Sequence, residues 1–469
     1  MNTSRRFLVL TWVLGTAAAA WSLAGCLEAR EGRVGAGPTA EPPAPPPSCA
    51  VTGVVATERG TIDRADAPEM FAPAFQLAGD RVLFVESGTT GSNAAEDTEV
   101  VRVAPGTGAR EQVTFNDLND SVLAVDGDAM LLARGERAGP HQSIVVRDGG
   151  AETVVETDVR ALVPGDDMPL RWLSTTASLA TWMACTGPDW SCATTRMSAF
   201  HAGARVVLRE WPAPQRAQVV YGPEIADGRV VWAERGDDPD ALWTVVAWTP
   251  GAGETVLARD LALRDRPRVS GEVVFAPTAA GMERVVLGEG GVVVARSLLA
   301  LGRCSVAVTA GDGRDRALFS CLPAPPGTEP AWAPLWVAPL LYWDGAAVHA
   351  LGAGAEGGAL GSVASPRIDG EHIVWIAYDA VDAGCYAMDT AGRVMAASAE
   401  RPELAVVVSE IGIGCMCCDA YWPTPLVGLD AGLVVWNYAN PDEPDRIFAG
   451  PLGYARIATA RECGVRPLW

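Results

Sequence analysis

Leu23-Ala24-Gly25-Cys26 puts a cysteine directly after small residues at the end of an apolar segment, where cleavage leaves a thiol free for acylation. Arg5 and Arg6 precede that segment, and Phe7 to Leu23 falls short of the ~20 apolar residues a spanning helix needs. Residues 1–25 therefore predict an export signal and Cys26 a lipid anchor. Leu27, rather than an aspartate, follows it, which points to the outer membrane of a Gram-negative cell. Ser4-Arg5-Arg6-Phe7-Leu8 fits either general or twin-arginine export.

Cys415-Met416-Cys417-Cys418 is the densest set of soft donors, suited to Cu(I) or Zn, with Gly412 and Gly414 letting the backbone bend. No histidine lies nearby, and in an oxidising compartment such cysteines pair with others. Beyond Cys26 the chain holds Cys49, Cys185, Cys192, Cys304, Cys321, Cys385, Cys415, Cys417, Cys418 and Cys463. Spacing predicts local disulfides Cys185–Cys192 and Cys304–Cys321, and one bond from Cys385 into the Cys415 cluster. Cys49 pairs either with Cys463 or within that cluster.

Asp237-Asp238-Pro239-Asp240 and Asn440-Pro441-Asp442-Glu443-Pro444-Asp445 are dense enough in carboxylates for Ca²⁺, but Asp and Asn also build turns by bonding their own backbone. His141, His201, His349 and His372 are scattered singly, His372 within an apolar run. There is no Gly-x-Ser-x-Gly, no His-Glu-x-x-His and no Gly-rich phosphate loop. No catalytic residue and no cofactor is expected on this reading. The chain contains no lysine, which excludes Schiff-base chemistry and a P-loop.

The formal charge is −21, and loss of residues 1–25 removes two arginines and no acid, leaving −23. Such a surface repels nucleic acid. Residues 26–65 read as the lipidated cysteine, a linker rich in Pro and Gly, and a lead-in; Glu41-Pro42-Pro43-Ala44-Pro45-Pro46-Pro47 has nothing to pack.

From residue 66 to 469 one unit recurs: a turn with Gly and Asp, then a short apolar run ending in a large residue. Its copies end at Phe84, Leu132, Trp182, Trp232, Phe275, Phe319, Trp375 and Trp436, with those at Trp182 and Phe319 weaker. Their mean step of about 50 residues is that of a four-stranded propeller blade. Arg229-Val230-Val231-Trp232 and Leu433-Val434-Val435-Trp436 are apolar at successive positions, which predicts strands covered on both faces. The expected fold is all-β, a β-propeller of eight blades, or seven, each a four-stranded antiparallel meander.

Pro223-Glu224-Ile225-Ala226-Asp227-Gly228-Arg229-Val230-Val231-Trp232 and Pro366-Arg367-Ile368-Asp369-Gly370-Glu371-His372-Ile373-Val374-Trp375 resemble the TolB-type, WD40-like repeats of bacterial envelope proteins. That resemblance implies a fold more than a function. The expectation is a membrane-anchored, non-catalytic binding or scaffolding module with an envelope protein or glycan partner. The alternatives are a glycan-acting hydrolase or lyase using channel carboxylates, and metal handling at Cys415, Cys417 and Cys418.

Overall fold

The computed structural model describes residues 49–64, 75–87, 97–136, 141–160, 170–176, 179–187, 192–212, 220–238, 240–288, 292–309, 314–322, 340–351, 362–378, 390–413, 427–437 and 451–463. Cys26, Cys385, Cys415, Cys417, Cys418 and the loop from Asn440 to Asp445 lie outside them. Among the described residues every regular element is a β-strand and every pairing is antiparallel. No helix there is long and apolar enough to cross a membrane.

The Asp-Gly pairs of the repeat make the hairpins. Asp227 and Gly228 take φ of 51° and 71°, so two left-handed residues in a row join Val220–Ala226 to Arg229–Glu234 as a type I′ turn requires. Each hairpin then continues as a meander. Four-stranded sheets form from residues 76–112, 220–261, 268–299, 303–350 and 362–413, and residues 119–212 form one sheet of eight strands.

The last sheet departs from the predicted boundary. Its order is Cys49–Ile62, Leu452–Cys463, Leu433–Asn437, Val427–Asp430, so the segment expected to be lead-in supplies its outer strand. The compact unit accordingly begins at Ser48 rather than near residue 66. Val51, Val54 and Ile62 are buried, which gives this stretch a reason to pair that proline-rich residues before it lack.

The sheets stand in a ring. The first strands adjoin one another in chain order, Gln76–Ala78 beside Asn119–Asp126, then Leu170–Thr175 and Val220–Ala226. Arg268–Ser270, Arg303–Thr309, Ser362–Asp369 and Val427–Asp430 continue the series, and the last lies against Gln76–Ala78. Glu224 reaches the Val269 N–H at 3.4 Å across the junction between Val220–Ala226 and Arg268–Ser270. This is the radial arrangement of a β-propeller.

Strand Arg229–Glu234 shows why the apolar runs do not alternate. Trp232 packs with Leu179, Met183 and Met197 of the preceding sheet, whereas Val231 and Ala233 pack with Val269 and Val274 of the following one. The same division recurs at Trp375 and Val374, and at Trp436 and Val435. Phe275 inverts it. It faces forward and shares a cluster with Phe319, Cys304 and Cys321.

Candidate functional site

The inner strands carry charge at one fixed level. Glu224, Arg268 and Arg367 each lie two residues before the pair that closes the hairpin: Ala226 with Arg229, Ser270 with Val273, and Asp369 with His372. Side chains alternate along a strand, so at this level the repeat projects the face opposite to the buried Val269 and Ile368. Glu224 Oε2 accepts from Arg266 Nη2 at 3.2 Å and from Arg268 Nη1. Arg266 Nη2 also donates to the Pro223 carbonyl at 2.9 Å. Arg367 Nη1 donates to the Pro366 carbonyl at 2.9 Å.

Burial depresses the Arg367 guanidinium, and the charge of Arg268 depresses it further. These two arginines belong to sheets 268–299 and 362–413, with sheet 303–350 between them. Both stand at the same level of their inner strands, two residues before the closing pair of the hairpin. Burial lowers Arg266 to about 10, with Glu224 opposing, Arg268 adding and Asp265 opposing. Yet Arg266, Arg268 and Glu224 keep side-chain exposures of 18%, 26% and 15%. All three therefore still touch solvent.

Below this level the hairpin turns are tied to one another. Gly271 N donates to Asp227 Oδ2 at 2.8 Å, Ser270 Oγ to the Arg314 carbonyl, and Arg316 Nη1 to the Gly370 carbonyl at 2.9 Å. Ala431 N donates to Asp369 Oδ2 at 2.6 Å and Gly79 N to Asp430 Oδ2 at 2.5 Å. The aspartate of the repeat thus links neighbouring sheets as well as turning the chain. Burial raises Asp430, the Gly79 bond opposes this, and the charges of Asp369 and Asp126 add to it. One mouth of the ring is acidic; the level inside it is rich in arginine.

Among the described residues, those singled out in the sequence do not converge. Disulfides join Cys185 to Cys192, with Cα atoms 5.5 Å apart, and Cys304 to Cys321, 4.1 Å apart. Cys49 and Cys463 are register partners at the end of the closing strand pair. Asp238 accepts the Asp240 N–H at 2.9 Å, a turn built by the aspartate itself. His372 is lowered by burial and stands 3.2 Å from Thr459 Oγ1. The arginine level was missed although its signal was present: Pro223-Glu224, Pro267-Arg268 and Pro366-Arg367 put a charge directly after the proline of three repeats.

A second charged group was also unforeseen. Asp97, Glu99 and Asp120 are all buried where sheets 76–112 and 119–212 meet. Asp120 takes both oxygens to Arg134, at 2.6 and 3.0 Å.

No family model matches the sequence, and no curated protein does. Among solved structures, the β-propeller domain of the trilobed protease from Pyrococcus furiosus is similar at 10% identity and a TM-score of 0.39, over 82% of this chain and 90% of that one. A puromycin hydrolase mutant is similar at 15% identity and a TM-score of 0.41, over 80% of this chain and 62% of that one. TolB from Acinetobacter baumannii is similar at 14% identity and a TM-score of 0.25, over 47% and 52%. All are propeller proteins, and the likeness is one of fold. They also correct an expectation. A propeller seen in a protease and a hydrolase does not mark a non-catalytic scaffold, and that reading is withdrawn.

Proposed function

We propose that this chain is an eight-bladed propeller that admits a carboxylate-bearing ligand to the arginine level inside its ring. The observation that carries the reading is Glu224 shared between Arg266 and Arg268, with Arg367 at the same level of another inner strand. Guanidinium forks match a carboxylate in two parallel bonds. The net charge of −21 favours a singly charged group over a polyphosphate, which the whole surface repels. Eight blades are supported by the sheet of residues 119–212, whose two meanders meet through the one pair Thr186 and Val159.

Isothermal titration with N-acetyl-dialanine and with its C-terminal amide tests this. The acid is expected to bind and the amide not to; equal binding, or none by either, defeats the reading. Loss of one charge-assisted bond of about 1.5–3 kcal/mol makes Arg367→Gln roughly 10- to 100-fold weaker. Removing a cation that faces another should leave the melting temperature at or above that of the parent, whereas a purely structural arginine would lower it. Mass spectrometry of the peptide after incubation reads hydrolysis in the same samples.

The anchor belongs to the same proposal. Export and acylation at Cys26 would hold the propeller at a membrane surface through residues 27–48. Cys26→Ala should move the protein from the membrane to the soluble fraction, and continued membrane association would refute anchoring there.

A further inference from the structure

Asp97 is 4% exposed and Glu99 1% exposed, with Thr98 between them. Asp97 lies just before strand Thr98–Ala104 and Glu99 within it, and the two carboxylates are close enough for the charge of Asp97 to act on Glu99. Thr98 turns away, its Oγ1 donating to the Asp120 carbonyl at 3.3 Å. Neither oxygen of Asp97 has a hydrogen-bond partner, nor does Glu99 Oε2. Glu99 Oε1 accepts the Asn116 N–H at 2.8 Å. Three carboxylate oxygens of two neighbouring side chains thus stand buried with no donor.

The nearby cations are committed elsewhere. Arg134 holds Asp120 in a fork and Glu152 at 2.7 Å, and Arg110 holds Glu86. An ionised carboxylate buried without a donor costs several kcal/mol, so native proteins pair it or place a metal against it. Asn116 spends its own donors on Glu99 Oε1 and Asp120 Oδ2, at 2.8 and 2.7 Å, and so leaves the three oxygens unserved.

From this geometry we propose that Asp97 and Glu99 hold a calcium ion in the seam between sheets 76–112 and 119–212. Two carboxylates neutralise a divalent cation, and carbonyl, amide and water oxygens fill the six to eight positions that Ca²⁺ accepts. Among the described residues no three Asp, Glu, His or Cys side chains are grouped to hold a metal, so the site rests on two carboxylates and neutral oxygens. The ion would fix the start of Thr98–Ala104 by satisfying the two carboxylates buried there.

Equilibrium dialysis of the chelator-stripped protein against Ca²⁺ should give one ion per chain. The melting temperature should rise by several degrees from EDTA to millimolar Ca²⁺, since a ligand bound only by the folded state stabilises it. Asp97→Asn should abolish both the stoichiometric ion and the calcium-dependent rise, while melting in EDTA no lower than the parent because an unpaired buried charge is gone. Equal parent melting temperatures in EDTA, Mg²⁺ and Ca²⁺, with no bound ion, would overturn the site. So would an Asp97→Asn protein that still gains stability from Ca²⁺.

Discussion

Deleting residues 49–62 is expected to abolish the cooperative unfolding of the entire chain. Those residues form the outer strand of the last sheet and pair with Leu452–Cys463 along its full length. Val54 enters a cluster with Ile411, Trp436 and Ile457, and Ile62 enters another with Phe84, Leu433 and Tyr454. Burying Val51, Val54 and Ile62 at about 1.5–3 kcal/mol each contributes about 5–9 kcal/mol. A domain has a total of only about 5–15 kcal/mol, so the deletion removes most of the margin. Tyr454 would also lose Glu58, to which its hydroxyl donates at 3.2 Å. Calorimetry should show a broad or missing transition, and size-exclusion chromatography an expanded or associating species. A sharp transition near the parent temperature would mean the ring does not depend on this strand.

A milder change separates the strand from the disulfide we propose between Cys49 and Cys463. Register partners in an antiparallel pair have Cα atoms about 4.5–5.5 Å apart, within disulfide range, and Cys49 lies opposite Cys463. Replacing both by serine is expected to lower the melting temperature while keeping a single transition, because the ladder and the apolar contacts of the strand remain.

The fold was legible because its physics repeats. A turn that needs two left-handed residues announces itself as Asp-Gly, and a strand covered on both faces announces itself as a run such as Val230-Val231-Trp232. Closure was less legible. Cys49–Ile62 has no Asp-Gly turn before it and pairs only with residues at the far end of the chain, so no local pattern marks it. The aspartates show a third degree. Asp227 and Asp369 were read as turn formers, but each also accepts a backbone N–H from the next sheet, a contact invisible until the ring is assembled.

The arginine level was the hardest to foresee, since Glu224, Arg268 and Arg367 are spread over three repeats and mean nothing singly. Only register aligns them, each two residues before the pair that closes its hairpin. The opposite holds for the unpaired Asp97: composition with an acidic excess hides one buried carboxylate among 57 acidic residues.

Trp232→Ala is expected to cost about 3–5 kcal/mol, the usual range for emptying a large aromatic site in a core. Trp232 is fully buried against the preceding sheet, and its Nε1 donates to Glu234 Oε2 at 2.9 Å. Arg209 lies 4.9 Å above the ring and bridges Glu234 and Glu254, so the indole is capped by an ion-pair network. Gly222, at φ +151°, comes so close that a Cβ there would stand 2.5 Å from the Trp232 Cβ. The pocket is shaped around this side chain and collapses poorly when it is removed. Trp232→Phe keeps most of the volume but loses the Glu234 bond, and should cost about 1–2 kcal/mol. The shape of the transition carries further information. In an open array of repeats, stability is a sum of units and nearest-neighbour contacts, so a weakened unit can melt separately. In a ring closed by Cys49–Ile62 every sheet is held on both sides, and Trp232→Ala should shift one transition downward without splitting it. Two resolved transitions in calorimetry would show that the sheets unfold independently despite the closure.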